Sequence, residues 1–124
     1  MSFDWANYLV LAKELAAAAG SASDEAKLRS AISRAYYAAF CKAKTHCIDR
    51  RECSVPKTGN AHTVVAEHFR RARVKVRKKI GEDLTRLRRD RNCADYEDVV
   101  HSLPSATTKA LAVAQRIIGN LLTL

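Results

Sequence analysis

Apolar residues recur at three- and four-residue spacing through most of the chain, and short breaks rich in glycine, proline or charged residues separate these stretches. This spacing places apolar side chains on one face of an α-helix, whereas a half-buried strand would alternate at every second position. The pattern predicts a first helix from about Asp4, its N-cap, to Ala19, followed by the stop residue Gly20. Its predicted inward residues are Trp5, Tyr8, Leu9, Ala12, Leu15 and Ala16.

A second helix is predicted from Ser23, through the acidic residues Asp24 and Glu25 of its first turn, to about Cys47. One face carries the apolar stripe Leu28, Ile32, Ala35, Tyr36, Ala39 and Ala43. The opposite face carries Ser30, Ser33, Arg34 and Tyr37, with the small residues Ala31 and Ala38 beside them. Because Arg34 is the only charged residue between positions 30 and 41, this helix is predicted to be central and packed on more than one side.

The longest predicted loop, residues 48–60, contains Pro56 and Gly59, and a third helix follows it. This helix covers about 61–79, and its predicted inward residues are Val65, Phe69, Ala72 and Val76. Gly81 is predicted to end the third helix, because glycine commonly follows a helix C-terminus and the cations just before it suit that end of the helix dipole.

A fourth helix is predicted from Glu82 to about Tyr96, and a fifth begins at Ser102-Leu103-Pro104, where proline is tolerated in a first turn. The fifth helix carries Leu111, Ala114, Ile117, Ile118, Leu121 and Leu122. The sequence has no internal repeat, low-complexity tract or boundary of a second domain. Residues 1–124 are therefore predicted to form one all-α domain: an up-and-down helical bundle of about five helices with a four-helix-bundle-like core.

Composition predicts a cytoplasmic protein without a metal or cofactor. The 48% hydrophobic and 28% charged residues are typical of a folded, soluble chain, and no stretch approaches the roughly 20 apolar residues of a membrane span. The N-terminus lacks a secretory pattern, so free thiols are predicted at Cys41, Cys47, Cys53 and Cys93. A zinc site is conceivable, but no familiar ligand spacing matches its candidates Cys47, Cys53, His62 and His68.

Positive charge is concentrated in residues 70–91, where eleven Lys and Arg residues against three acidic residues give +8 of the chain's net charge of +9. Such a concentration is expected where a protein meets phosphates, so RNA or a nucleotide is the predicted partner. The alternatives are an acidic protein partner and a surface that serves solubility alone. A membrane surface is not expected, because large apolar residues are not interleaved with the basic ones. The predicted phosphate-binding residues, called the basic patch below, are Arg70, Arg71, Arg73, Lys75, Arg77, Lys78, Arg86 and Arg89.

The fourth helix directs its charged residues to two sides. Its apolar side carries Arg88, Arg91 and Asp95, and its outward side carries Arg86, Arg89 and Asp90. Because inward charges are costly unless paired, Arg91 is expected to pair with Asp95, and Arg88 needs a partner from another helix or a ligand. Two interpretations remain open. One is a buried ion-pair network that fixes helix register. The other is a polar cleft against an antiparallel second helix, formed by Ser33, Arg34, Tyr37, Arg88 and Asp95.

Two segments of the sequence resemble a known family. The first is Arg-Ser-Ala-Ile-Ser-Arg-Ala-Tyr-Tyr-Ala-Ala-Phe at 29–40, and the second is Leu-Arg-Arg-Asp-Arg-Asn-Cys-Ala-Asp-Tyr at 87–96. Over roughly residues 5–120 the chain resembles the HEPN family, in particular its stand-alone prokaryotic branch. The resemblance implies a single HEPN-like helical domain that commonly dimerises, often beside a small nucleotidyltransferase partner. It also implies metal-independent RNA cleavage in many members, as toxins or in phage defence.

The chain departs from the family's nuclease motif, which is an Arg, a polar residue and, a few residues later, a His. Arg91 and Asn92 match its start, but Tyr96 stands where the His would fall. Because a tyrosine with a pKa of about 10 exchanges protons poorly at neutral pH, the catalytic machinery is predicted to be incomplete. If cleavage occurs, Arg91 stabilises the anion, Asn92 positions the phosphate, and Tyr96 serves as a weak acid or hydrogen-bond donor.

These features leave three hypotheses of function. The first is a HEPN-like module that binds nucleic acid or a nucleotide as a homodimer, in a two-component toxin–antitoxin or defence system with a nucleotidyltransferase. The alternative is a metal-independent ribonuclease toxin that uses Arg91 and the residues around it. The third is a protein–protein adaptor.

Overall fold

The computed structural model describes residues 2–19 and 24–124, and in that part of the chain it contains five α-helices and no strand. The helices are α1 (Asn7–Ala18), α2 (Glu25–Asp49), α3 (Ala61–Arg70), α4 (Lys75–Tyr96) and α5 (Leu103–Leu122). The predicted all-α bundle is therefore confirmed. The two predicted boundary residues Gly20 and Ser23 lie outside the described residues.

The predicted helix starts are close to the observed ones except for the fourth helix, which begins at Lys75 and not at Glu82. Asp4 precedes α1, and its Oδ1 accepts a hydrogen bond of 3.0 Å from the amide of Ala6 in the turn before the helix. At the other end of the chain, α5 begins after Ser102, whose φ of 53° and ψ of 42° turn the backbone into the helix. Pro104 occupies the first turn of α5, where its missing N–H costs no helical hydrogen bond.

α2 is the central helix, as its sequence predicted. It packs against the other four helices, and buried side chains lie on both of its faces, although Ser30 is exposed and Arg34 and Tyr37 are only partly buried. Ala31 and Ala38, on the face opposite the apolar stripe, are both 0% exposed, because small side chains allow neighbouring helices to approach closely. All six residues of the predicted apolar stripe are buried as well.

α2 and α4 run antiparallel. Ser33 near the start of α2 contacts Asp95 near the end of α4, while Glu52, just after α2, contacts Arg77 near the start of α4. At the first of these ends, Arg29 donates hydrogen bonds to the carbonyl oxygens of Ala94, at 3.0 Å, and of two residues beyond α4. A helix C-terminus leaves such carbonyls without intrahelical partners, so Arg29 satisfies them from the neighbouring helix.

The predicted boundary at Gly81 is wrong. α3 already ends at Arg70, residues 71–74 connect the two helices, and α4 continues without a break through Gly81. A Cβ at this position would lie 2.4 Å from the amide nitrogen of Arg70 and 2.8 Å from the carbonyl oxygen of Ala66. Gly81 is therefore required by the close crossing of α3 over α4, and not by the end of a helix.

Three inward assignments also change. Ala72 and Val76 were assigned to the third helix, but Ala72 lies in the connection between α3 and α4, and Val76 belongs to α4. In α5, Leu122 is 80% exposed, whereas Ala114, Ile117, Ile118 and Leu121 are buried. Leu122 therefore lies on the side of α5 that faces solvent.

The crossing at Gly81 makes a stability prediction with an internal control. Gly81→Ala should destabilise the fold by about 1–3 kcal/mol or more, because the added methyl group must displace backbone atoms of α3. Gly119→Ala in α5 should instead stabilise it by about 0.5–1 kcal/mol, because a Cβ at that position would meet nothing within 4 Å and alanine is the better helix former. Urea unfolding of both variants measures these changes. Equal effects of the two substitutions would contradict the close crossing.

Candidate functional site

A cluster of polar and aromatic side chains joins α2 to α4. The guanidinium of Arg91, a residue only 7% exposed, lies 5.2 Å from the ring centroid of Tyr36 and 5.3 Å from that of Tyr37. Arg91 also pairs with Asp95 at 3.7 Å, and the hydroxyl of Ser33 donates to the same carboxylate at 3.2 Å. The expected Arg91–Asp95 pair and its helix-two neighbours are therefore present, because the antiparallel pairing of α2 and α4 brings these segments together.

α3 contributes a histidine to this cluster. His62, in the first turn of α3, places its Nδ1 2.5 Å from the hydroxyl oxygen of Tyr36. Its ring stacks on Phe40 with 4.3 Å between centroids and an interplanar angle of 23°. We call Tyr36, His62, Arg88 and Arg91 the central cluster.

The nuclease motif of the family has its histidine a few residues after the arginine, so a search for that motif does not find His62. His62 lies on another helix, and only tertiary packing brings it to Arg88 and Arg91. One signal could have identified it: His62, Val65 and Phe69 are spaced by three and four residues, so they share the inward face of α3.

The central cluster holds its histidine and tyrosine neutral. Burial, with the positive charges of Arg88 and Arg91 as the next cause, lowers the pKa of His62 from 6.5 to about 4. Burial raises the pKa of Tyr36 well above its usual range, although the same two arginines oppose that rise. At neutral pH the imidazole is therefore uncharged and able to accept a proton, and the tyrosine hydroxyl remains protonated.

Arg88 borders an open cavity beside this cluster. The cavity has a volume of about 200 Å³ and is lined by Tyr36, His62, Thr63, Ala66, Glu67, Arg70, Leu84, Thr85 and Arg88. Arg88 donates one hydrogen bond to the hydroxyl of Thr63, at 3.3 Å. The Nε atoms of Arg88 and Arg91 are buried and have no hydrogen-bond partner among residues 2–19 and 24–124. Buried donors on charged groups normally have acceptors, so this site is suited to an anionic ligand.

The other residues predicted for the site occupy different positions. Arg34 lies on the α1 side of Tyr37, with its guanidinium 5.2 Å from the Tyr37 ring and 4.9 Å from the ring of Tyr8. Asn92 is exposed and Tyr96 is 75% exposed, so both side chains face away from the inward Arg91 guanidinium. The structure therefore gathers Ser33, Tyr37, Arg91 and Asp95, places Arg88 beside Thr63 at the cavity, and leaves Asn92 and Tyr96 outside this group.

The basic patch is divided by its ion pairs. Arg77 is partly buried and binds both carboxylate oxygens of Glu52, at 2.9 and 3.0 Å. Arg70 and Arg71 share Glu67, at 2.7 and 3.5 Å. The remaining patch residues are exposed and form no ion pair with any residue that the structure describes; these are Arg73, Lys75, Lys78, Arg86 and Arg89. Four of them lie along one face of α4, so they form a cationic stripe.

Asp90 does not share the exposure of the arginines that flank it. The helical wheel placed it outward with Arg86 and Arg89, but it is partly buried, and burial raises the pKa of its carboxyl group. It borders a groove together with Ile32 and Ala106. Asp90 is partly buried because α4 is covered on more than one side: α5 packs against α4 as well as against α2.

The protein is an all-α bundle in which an Arg–Tyr–His cluster lies where α2, α3 and α4 meet. A comparison with protein-family models matches residues 8–122 to the HEPN domain, and the chain therefore belongs to the HEPN family. Comparisons with curated proteins and with solved structures found no significant match. Within the described residues, no helix is both long and apolar enough to cross a membrane.

The lowered pKa of His62 predicts how stability depends on pH. The unfolded chain binds a proton at His62 near pH 6.5, whereas the folded chain resists it until about pH 4, so stability should fall as pH falls between these values. Because His62 is partly exposed, we expect a loss of about 1–2 kcal/mol.

Urea unfolding at several pH values measures this dependence. His62→Gln should flatten the profile between pH 7 and 5, whereas His101→Gln, at an exposed histidine, should keep the wild-type profile. Parallel profiles for wild type and His62→Gln would contradict the assigned environment of His62.

Proposed function

We propose that this HEPN-family chain binds a phosphate group of RNA or of a nucleotide in the cavity beside the central cluster. The observation that carries the proposal is the set of donors around that cavity. Arg88 has a buried Nε without a partner in the described part of the chain, and Arg70, Thr63 and His62 line the same space. Arginine is suited to phosphate because its planar guanidinium can donate two parallel hydrogen bonds.

The size of the cavity limits what enters it. A volume of about 200 Å³ is below the roughly 300–1,000 Å³ typical of sites that enclose a whole small molecule. In the proposed complex, one phosphate with part of its sugar therefore occupies the cavity, and the rest of the ligand lies outside. This requirement favours RNA or an extended nucleotide over a compact metabolite.

The exposed basic residues continue from the cavity. Arg70 lines the cavity and also belongs to the basic patch, so the two surfaces meet at that residue. On α4 the exposed cations from Lys75 to Arg89 extend over about 21 Å at 1.5 Å per residue. This stripe would hold further phosphates of an RNA chain through charge attraction that salt weakens.

The proposed active form is a homodimer that works with a nucleotidyltransferase partner in a two-component system. Its support is membership of the HEPN family, whose domains often dimerise. A second copy would also cover apolar side chains that a monomer leaves in water at the end of α4, where Tyr96 is 75% and Val99 68% exposed. Light scattering on the purified chain measures the oligomeric state, and a monomer at high concentration would contradict this part of the proposal.

Binding should depend on Arg88 more than on exposed charge. We expect Arg88→Ala to weaken the binding of a labelled single-stranded RNA about 10- to 100-fold, since hydrogen bonds to charged groups contribute about 1.5–3 kcal/mol. Lys109→Ala, which removes an exposed charge from α5, is the matched control and should change affinity less than about twofold. Fluorescence anisotropy at two salt concentrations measures both effects.

The cationic stripe makes a separate contribution to the same measurement. The triple variant Lys75→Glu, Lys78→Glu, Arg86→Glu should weaken binding for every RNA sequence and flatten its salt dependence. RNA affinity that survives both this variant and Arg88→Ala would contradict phosphate binding. If neither RNA nor nucleotide then shifts the thermal unfolding midpoint, the adaptor hypothesis replaces phosphate binding.

Metal-independent RNA cleavage is the second candidate function, and His62 is the observation that favours it. The sequence motif predicts no histidine near Arg91, yet His62 lies beside both arginines of the central cluster and is neutral at pH 7. With a pKa of about 4 the neutral imidazole is a weak base, so a bound phosphate would have to raise that pKa before His62 takes the proton of a 2′-hydroxyl. Arg88 or Arg91 can stabilise the charge that develops on the phosphate. The alternative set of Arg91, Asn92 and Tyr96 leaves this proton transfer to an exposed tyrosine.

Cleavage of labelled RNA in the presence of EDTA distinguishes these assignments. If His62 is the base, His62→Gln should lower the rate about 10²- to 10⁴-fold, while Tyr96→Phe should leave it unchanged. Loss of cleavage in Tyr96→Phe alone would instead support the assignment to Tyr96. RNA that stays intact under all conditions while it binds would reject the nuclease and keep the binding module.

A further inference from the structure

A second polar cluster lies at the opposite end of α2 from Ser33. It consists of His46 and Cys47 at the end of α2, Glu52 and Cys53 in the following loop, His68 on α3 and Arg77 on α4. From Tyr36 to Cys47 the helix axis rises by roughly 16 Å, so this group is separate from the central cluster. Neither the family match nor the proposed function uses it.

Three potential metal ligands of this group lie close together. The Sγ of Cys47, a carboxylate oxygen of Glu52 and a ring nitrogen of His68 are all within 4.8 Å of one another. His68 Nε2 is 2.8 Å from Glu52 Oε1. Cys53 is the next candidate donor, because it follows Glu52 directly in the chain and contributes to the raised pKa of the Cys47 thiol.

A buried histidine without a hydrogen-bond partner faces the same carboxylate. The side chain of His46 is 10% exposed, and its Nε2 lies 3.4 Å from Glu52 Oε2. This Nε2 is buried and has no hydrogen-bond partner in the described part of the chain. A buried polar atom without a partner requires an explanation, and a site for a ligand or an ion is one of them.

We propose that Cys47, Glu52 and His68 bind a zinc-like divalent metal ion, with Cys53 as the fourth ligand. Thiolate, imidazole and carboxylate ligands together are characteristic of Zn²⁺, which binds them at about 2.0–2.3 Å in tetrahedral geometry. The conceivable zinc set in the sequence contained His62 in place of Glu52. The structure assigns His62 to the central cluster, and Glu52 takes its place.

The charges of this group are suited to a divalent ion. Two thiolates and one carboxylate are balanced in formal charge by a divalent ion together with the Arg77 guanidinium. Arg77 already holds both oxygens of Glu52, at 2.9 and 3.0 Å, and lowers the pKa of that carboxyl to about 2. Glu52 is therefore ionised and oriented before a metal arrives, which is the usual contribution of a residue that hydrogen bonds to a metal ligand.

Metal binding would replace protons in this group. In the metal-free protein, burial raises the pKa of the Cys47 thiol, so it is protonated at neutral pH. A bound metal takes the position of the thiol protons, which pass to solvent, while His68 would bind it through Nε2 as a neutral imidazole that carries its proton on Nδ1. The affinity should therefore rise with pH, and the metal would tie the loop after α2 to α3.

Cobalt titration tests the site because a thiolate ligand gives Co²⁺ a charge-transfer absorption band. Under a phosphine reductant and without oxygen, we expect one Co²⁺ per chain, with this band, and its displacement by Zn²⁺. His68→Gln and Cys47→Ser should each lower the affinity at least about 100-fold. Cys93→Ser, at an exposed thiol on α4, is the control and should bind as wild type does.

The experiment must distinguish a loss of metal binding from a loss of folding. Cys47 is 0% exposed and Cys47→Ser can destabilise the bundle, so the partly exposed Cys53→Ser is measured too, and helicity is checked by circular dichroism. A folded Cys53→Ser variant with a weaker charge-transfer band supports a two-thiolate site. Absence of Co²⁺ binding by folded wild-type protein, or an unchanged band in both folded His68→Gln and folded Cys53→Ser, would overturn the proposal.

Discussion

The structure depends on the burial of Arg91 between α2 and α4. A buried guanidinium is costly unless its charge and its donors are satisfied. Here the two tyrosine rings of α2 lie about 5 Å from it and the Asp95 carboxylate, at 3.7 Å, offsets its charge, while its Nε has no hydrogen-bond partner in the described chain. Ser33 in turn donates to Asp95, so a shift of α4 along α2 by one turn would break this hydrogen bond and separate Arg91 from the two tyrosine rings. The cluster therefore fixes the register of the two longest helices.

A second constraint acts through α3. Gly81 allows the backbone of α3 to approach α4 at Ala66 and Arg70, closer than any side chain at that position would permit. His62 lies one turn before Ala66 on the same helix. The absence of a side chain at Gly81 therefore determines how deeply the imidazole reaches toward Tyr36. A packing requirement at one point of the bundle sets the chemistry at another.

The sequence predicted what depends on local periodicity and missed what depends on crossing helices. The central role of α2 and the Arg91–Asp95 pair followed from spacing alone. Gly81 was misassigned because a glycine at a helix end and a glycine at a close crossing of two helices look the same in the sequence. Lys78 and Lys79 just before it are equally compatible with a helix end and with a solvent-exposed first turn. His62 was missed because its neighbours are distant in sequence. The roles of Asn92 and Tyr96 stay predictions.

Net charge is a poor measure of the capacity of this chain to bind phosphate. Part of its positive charge is used within the fold: Arg77 holds Glu52, and Arg116 holds the buried Asp83 at 2.8 Å. Arg88 and Arg91 differ, because each retains a buried Nε without a partner in the described chain, next to a neutral histidine. An anion bound there gains charge-assisted hydrogen bonds that exposed lysines cannot match. In the proposed complex the phosphate therefore meets Arg88, which lines the cavity, and the exposed stripe contributes attraction at longer range.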